Sequence, residues 1–370
     1  MTDLTQDLLP EGLEDRLPQS AAAATRIERA MLEAMDAHGY DRVRPPLIEF
    51  EQSMGRRMDG VMTRHMFRFV DPASLRTLAL RSDMTVQVGR IAATGLGDAP
   101  RPLRLCYAGQ VARIRGDKLE PRRENLQVGA ELIGRDTVEA AGEIVELAIA
   151  ALEAAGATGI SVDFTLPDLV DTLADGPFPL DSEARRRVRR ELDTKDAGGL
   201  VEAGGADYLP LIHATGEFST AAEKLAALDT SGVLETRIDG LRQIAERLNG
   251  RARLTMDPSE RHGFEYQSWF GFTLYAEGIR GELGRGGTYC IGISQEPATG
   301  FSLYPEELVE ATKVDEALGR KLFLPRGHDR TAADAMRAEG WRTVAALDDG
   351  DDAGTLGCTH ILNGDKAKAI

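Results

Sequence analysis

The stretch Asn125-Leu126-Gln127-Val128-Gly129-Ala130-Glu131-Leu132-Ile133 decides the fold. Leu126, Val128, Ala130 and Leu132 fall at every second position, with Asn125, Gln127, Gly129 and Glu131 between them. Side chains alternate across a strand, so one face is apolar and the other carries an amide, a bare glycine and a carboxylate. Such a face suits a pocket floor, where Gly129 would let a ligand approach the backbone closely. Taken alone, the same pattern also fits a solvated sheet face.

Working outward, Thr77 to Leu80 and Leu103 to Tyr107 read as neighbouring strands. Pro45-Pro46 cannot sit in a central strand and marks an edge strand or a rigid lead into an interface. Helical spacing predicts a helix from Ser20 to His38, closed by Gly39, and another from Val138 to Ala155, closed by Gly156. Residues 167–250 turn helical, charged and loop-punctuated, and read as an inserted helical domain. Strands are expected at Arg253–Met256, Phe264–Ala276 and Gly287–Ile293, separated by glycine-rich turns such as the one spelled GIRGELGRGG, which suits an antiparallel sheet. The last segment, 321–370, reads as a short βαβ-type remnant: strand Lys321–Leu324, helix Thr331–Glu339, strand Arg342–Leu347 and a final strand near Thr359–Leu362. The expected organisation is a core of 1–166 and 251–320, a helical insertion at 167–250 and a short α/β domain at 321–370.

Sixty acidic against 44 basic residues give a formal charge of −16, which repels phosphate backbones and argues against a nucleic-acid partner. Cys106, Cys290 and Cys358 form neither a C-x-x-C pair nor an even framework, so reduced thiols and a cytoplasmic protein are expected. The acidic N-terminus lacks a signal pattern and no apolar run reaches membrane-spanning length, so no membrane partner is expected. Arg185-Arg186-Arg187-Val188-Arg189-Arg190 is the strongest basic cluster. It reads as a solvated helix face laced with ion pairs, or else as a docking patch for an acidic partner.

Three ordered segments carry a resemblance: Arg81-Ser82-Asp83-Met84-Thr85, Tyr107-Ala108-Gly109 through Arg113, and Gln127-x-Gly129-x-Glu131. With Pro45-Pro46, Gly286-Gly287-Thr288-Tyr289 and Gly300-Phe301-x-Leu303, their order and spacing resemble class II histidyl-tRNA synthetases over residues 8–320. The resemblance implies an α+β fold, an antiparallel sheet flanked by helices, and a pocket for free histidine. In that pocket Arg113 would clamp the α-carboxylate; Asp83, with Thr85 and Gln127, would receive the α-ammonium; Glu131 would read an imidazole nitrogen. Tyr266, in Gly263-Phe264-Glu265-Tyr266, resembles part of the histidine signature. Other readings stay open: Asp83 or Ser82 could cap a helix starting at Met84, Tyr266 could be an ordinary strand aromatic, and Arg113 could serve a surface ion pair.

The departures from the family bear on activity. Arg115 stands where the second motif has a glutamate, Glu307 where the third-motif arginine grips ATP, His262 where a catalytic arginine lies, and Gln267 where the signature has a second tyrosine. A unit charge about 4 Å from a phosphate interacts by roughly 4 kcal/mol at an effective dielectric near 20. Exchanging attraction for repulsion at Glu307 would therefore move phosphate binding by about 8 kcal/mol before screening. With the short C-terminal segment in place of an anticodon-binding domain, the chain is similar to the synthetase-like regulatory subunits of ATP phosphoribosyltransferase. That resemblance implies a non-catalytic protein without cofactor or metal and a short-form ATP phosphoribosyltransferase catalytic subunit as partner. It further implies histidine as feedback effector and a homodimer, formed through the Pro45-Pro46 region, within a larger hetero-oligomer. The rival readings are an active histidyl-tRNA synthetase and a free-standing amino-acid- or tRNA-binding paralogue.

Overall fold

The computed structural model describes residues 8–55, 66–116, 121–248, 250–260, 267–292, 295–311 and 320–370. Backbone contacts group the chain into two units, one of Met1–Asp15 with Ala24–Ala311 and one of Arg16–Ala23 with Thr312–Ile370. Residues 167–250 group with the larger unit.

The larger unit takes in α1 (Pro18–Ala37) from Ala24 onward, where Ile27, Met31 and Met35 are buried at helical spacing. Gly39 follows with φ +81°, a conformation in which a Cβ would be strained. After β1 (Asp41–Arg42), Pro45-Pro46 forms neither helix nor strand; it leads into β2 (Ile48–Phe50) and α2 (Glu51–Gly55). Its carbonyls are used: Pro45 O accepts from Arg81 Nη1 and Pro46 O from Gln87 Nε2. Next come β3 (Arg68–Val70), β4 (Thr77–Leu80) and α3 (Thr85–Ala93). Strands β2, β4 and β3 form a small antiparallel sheet.

The large sheet is built on β5 (Leu103–Ala112) and β6 (Glu124–Ile133), followed by α4 (Val138–Ala154) and β7 (Ser161–Thr165). Helices α5 (Leu169–Ala174), α6 (Ser182–Asp193), α7 (Ala197–Glu202), α8 (Phe218–Leu228) and α9 (Glu235–Leu248) fill the next stretch, with the two-residue β8 (Gly216–Glu217) among them. The arginine run lies on α6 and is laced with ion pairs: Arg185 and Arg189 reach Asp171, Arg185 also reaches Asp175, and Arg190 reaches Glu191. Strands β9 (Arg253–Met256), β10 (Gln267–Tyr275), β11 (Gly284–Ile291) and β12 (Glu296–Leu303) complete the sheet before α10 (Glu306–Ala311).

Among the described residues the order is β1-β5-β6-β12-β11-β10-β7-β9-β8, antiparallel from β5 through β7. Two expectations shift here. The second half of the glycine-rich run belongs to β11, because Gly286 lies against Phe272 and a Cβ there would stand 2.5 Å from its ring. Strand β12 had no apolar alternation to announce it. The core lies between the sheet and α4: Val128, Ala130, Leu132, Ile144, Val145, Ala148 and Leu152 are all within 2% of complete burial.

The smaller unit contains β13 (Lys321–Leu324), α11 (Arg330–Ala338), β14 (Arg342–Ala345), β15 (His360–Asn363) and β16 (Lys366–Ala369). Strands β14 and β15 flank β13 in parallel, and β16 adds an antiparallel edge that the sequence reading lacked. Cys106 and Cys358 are buried, Cys290 is exposed, and all three are free thiols. No helix among the described residues is long and apolar enough to cross a membrane.

Candidate functional site

The polar face of β6 is buried, with Gln127 and Glu131 at 0% and 1% exposure, which removes the solvated-face alternative. Register explains the enclosure. Opposed residues share a face in an antiparallel pair, so Tyr107 (opposite Gly129) and Ser302 (also opposite Gly129) join Gln127 and Glu131. Tyr289, opposite Ala298, joins from β11.

These groups make one network. Tyr107 donates to Glu131 Oε1 at 2.9 Å and Tyr289 to Oε2 at 2.7 Å. Thr85 Oγ1 meets the Tyr107 hydroxyl at 3.0 Å, and Ser302 Oγ lies 3.2 Å from it. Gln127 is held at both ends: Nε2 donates to Ser302 Oγ at 2.7 Å, and Oε1 accepts the Met84 amide at 2.8 Å. Asp83 Oδ1 accepts the Thr85 amide at 2.7 Å, so Asp83 satisfies the first amide of α3 and Gln127 that of Met84 just before it. The helix starts at Thr85, with Met84 at its N-cap and no side-chain cap bond there, so Asp83 is not the cap of a helix beginning at Met84; it stands one residue ahead of the cap and takes the Thr85 amide. Ser82 Oγ is buried without a partner among the described residues.

The glycines act differently from expectation. Gly129 was read as space for a ligand, but Tyr107 lies across it, and a Cβ there would stand 2.5 Å from the phenol oxygen. At Gly300 a Cβ would fall 1.6 Å from Glu131 Oε2, so glycine is what lets the carboxylate lie flat against β12. Gly109 likewise makes room for Arg81, whose guanidinium braces Gln110 O and Pro45 O.

Burial dominates the electrostatics. It pushes the Glu131 carboxyl up to about 8, against the pull of the Tyr289, Tyr107 and Thr85 hydroxyls, and neighbouring Asp83 adds to the rise. Tyr107 is driven far above its ordinary range by burial, then by Glu131 and Asp83. Burial therefore favours the protonated form of the Glu131 carboxyl at neutral pH.

Arg113, just past the end of β5, is half-buried; its guanidinium lies 5.8 Å from the centre of the Tyr304 ring, and its amide donates to Arg123 O at 2.8 Å. Asp83 and Arg113 both act electrostatically on the Tyr304 hydroxyl, which places the acid and the base of the cluster around one ring. Of the six residues the sequence singled out, Asp83, Thr85, Gln127 and Glu131 share the network and Arg113 borders it. Tyr266 lies outside the described residues, as does His262. Tyr107, Tyr289 and Ser302 were missed as site residues. Tyr107 and Tyr289 stood in the quoted motifs and Ser302 at the unspecified position between Phe301 and Leu303, but only the strand order shows that β5, β11 and β12 converge on β6.

Glu307 pairs with Arg122 at 3.2 Å, and the same guanidinium also reaches Glu14 at 3.3 Å and Glu310. A charge so neutralised repels an anion less than the roughly 8 kcal/mol argued for a bare carboxylate. The consequence changes in kind: the nearby arginine is already engaged by three carboxylates. Among the described residues no group of three or more His, Cys, Asp or Glu is arranged to hold a metal ion.

Residues 12–308 match the family model of histidyl-tRNA synthetase. The chain is 42% identical to the ATP phosphoribosyltransferase regulatory subunit of Rhodospirillum centenum, covering 98% of this chain and 96% of that protein. It is 41% identical to the protein of the same name from Paramagnetospirillum magneticum, covering 97% and 96%. Among solved structures it is similar to an ATP phosphoribosyltransferase regulatory subunit/histidyl-tRNA synthetase from Bacillus halodurans, with TM-score 0.81, 25% identity and coverage of 96% and 97%. The histidyl-tRNA synthetase of Nostoc sp. PCC 7120 shares the fold, with TM-score 0.77 at 14% identity over 96% and 90% of the two chains.

Proposed function

The chain belongs to the ATP phosphoribosyltransferase regulatory subunits, within the histidyl-tRNA synthetase family, and on that footing we propose that it binds histidine in the β6 pocket and transmits feedback to a catalytic partner. The partner is the short-form ATP phosphoribosyltransferase catalytic subunit, which performs the first step of histidine biosynthesis. The chain acts as a homodimer within a larger hetero-oligomer and contributes no catalytic residue.

One observation carries the reading: a buried carboxyl, Glu131, at one end of a polar face and a cation, Arg113, bordering the other, with Asp83 between elements that hold it still. A free amino acid presents complementary charges. Its carboxylate meets the planar fork of Arg113, its ammonium meets Asp83 and Gln127 Oε1, and its imidazole N–H reaches Glu131. Thr85 and Tyr266 complete the set proposed to touch the ligand.

Two measurements test this. In calorimetry, Arg113→Ala and Glu131→Ala are each expected to abolish histidine binding while far-UV dichroism is retained; unchanged affinity would refute the pocket. In a reconstituted assay with the short-form catalytic subunit, this chain is expected to raise turnover and histidine to lower it. Histidine-dependent pyrophosphate exchange with ATP, or no effect on the partner, would overturn the regulatory role.

A further inference from the structure

The residue that follows the site along β12 has no role in the network described above. Gly300, Ser302 and Tyr304 alternate along one strand direction and so share the face that carries Glu131. Tyr304 lies one residue past the end of β12, yet its amide still donates to Leu283 O at 2.8 Å, so the ladder continues and fixes its direction. Its ring packs against the cluster that contains Met84, Tyr107 and Tyr289. Arg113 lies over the ring, and Asp83, Arg285 and Glu282 are within electrostatic reach of its hydroxyl. Burial keeps that phenol neutral, with its pKa pushed up to about 12.

Behind Tyr304 the chain turns into α10, where Glu306 accepts the Leu126 amide at 2.6 Å and Glu307 pairs with Arg122. Glu307 follows Tyr304 by three residues, and the Arg113 amide donates to Arg123 O, so the backbone that carries Arg122 runs beside the backbone that carries Arg113. We propose that Tyr304, backed by the Arg122–Glu307 pair, is a specificity-determining wall that closes the carboxylate end, so the site takes a free α-amino acid and rejects carboxyl-extended derivatives such as an aminoacyl adenylate. This rests on the pocket assignment made above. The wall acts twice. The ring occupies volume that a substituent on the carboxylate would need, and Arg122, engaged by Glu14, Glu307 and Glu310, offers no free cation to a phosphate.

The test is calorimetric, on the full chain, with L-histidine and with 5′-O-[N-(L-histidyl)sulfamoyl]adenosine, a stable mimic of the adenylate. The wild-type chain is expected to bind histidine and to bind the mimic at least about 100-fold more weakly. Tyr304→Ala should narrow that ratio to about tenfold, Tyr304→Phe should leave it unchanged, and Glu307→Ala, which removes one of the three carboxylates holding Arg122, should narrow it severalfold without touching the ring. Wild-type binding of the mimic within about threefold of histidine overturns the wall, as does a ratio that neither Tyr304→Ala nor Glu307→Ala changes. No binding of histidine by the wild-type chain overturns the pocket assignment instead, which keeps the two failures apart.

Discussion

Glu131 shows how one residue can serve two demands. Its carboxyl is buried and ringed by three hydroxyls, and it holds a proton up to about pH 8, where an unfolded chain releases it near 4.5. Between those values the native chain binds the extra proton, so stability falls as pH rises. The contribution is complete below about 4.5, declines through to about 8, and is constant beyond it. We therefore expect urea midpoints of Glu131→Gln to vary less across that window than those of the parent chain; parallel curves would count against the buried proton. Ligand binding should release that proton, because an N–H donor or ammonium favours the ionised carboxylate. Calorimetry at pH 7 in buffers of different ionisation enthalpy should show proton release on histidine binding, lost in Glu131→Gln. Gly300→Ala tests the same carboxyl from the other side: a methyl 1.6 Å from Oε2 must displace it, so binding should fail while the sheet persists.

At the scale of elements, α4 and the apolar face of β6 form the support on which the pocket is laid. Leu132 and Ile144 are buried, and truncating either to alanine should cost about 2–5 kcal/mol in urea unfolding. Arg190→Ala on α6 should cost about 0.5 kcal/mol or less, because its pair with Glu191 is largely exposed on the arginine side. A loss at Arg190 comparable to that at Leu132 would contradict this division. The sequence was legible where physics left a period: the alternation of β6, the helical stripes of α1 and α4, and the glycines after them. It was not legible where a strand's character came from its neighbours. β12 mixes Thr299, Gly300 and Ser302 with apolar residues, and β11 begins on glycines, because Phe272 and Glu131 fill the space their side chains would need. Ion pairs such as Arg122–Glu307 join residues 185 positions apart, which no local pattern announces. The arginine run was readable as an ion-paired helix face because its partners lie within twenty residues.

For the whole molecule the functional claim is a coupling between two sites on different chains. Histidine can lower the partner's turnover only by favouring one state of the complex, and the partner's substrates must then weaken histidine by the same factor. With couplings typically 5–150-fold, histidine affinity measured in the reconstituted complex should fall by about that range when the partner's substrates saturate it. Equal affinity with and without them would remove the linkage. The sheet itself constrains how such an assembly is put together. Among the described residues β1 pairs on the outer side of β5 with Leu105 and Cys106, and further along Arg81 takes the carbonyl of Gln110 through its guanidinium and accepts the Ala112 amide at its own carbonyl. A side chain and a bend of backbone thus do the work of a missing strand. A foreign strand finds little template there, so this flank resists runaway stacking of sheets, and association at it must proceed through side-chain surfaces.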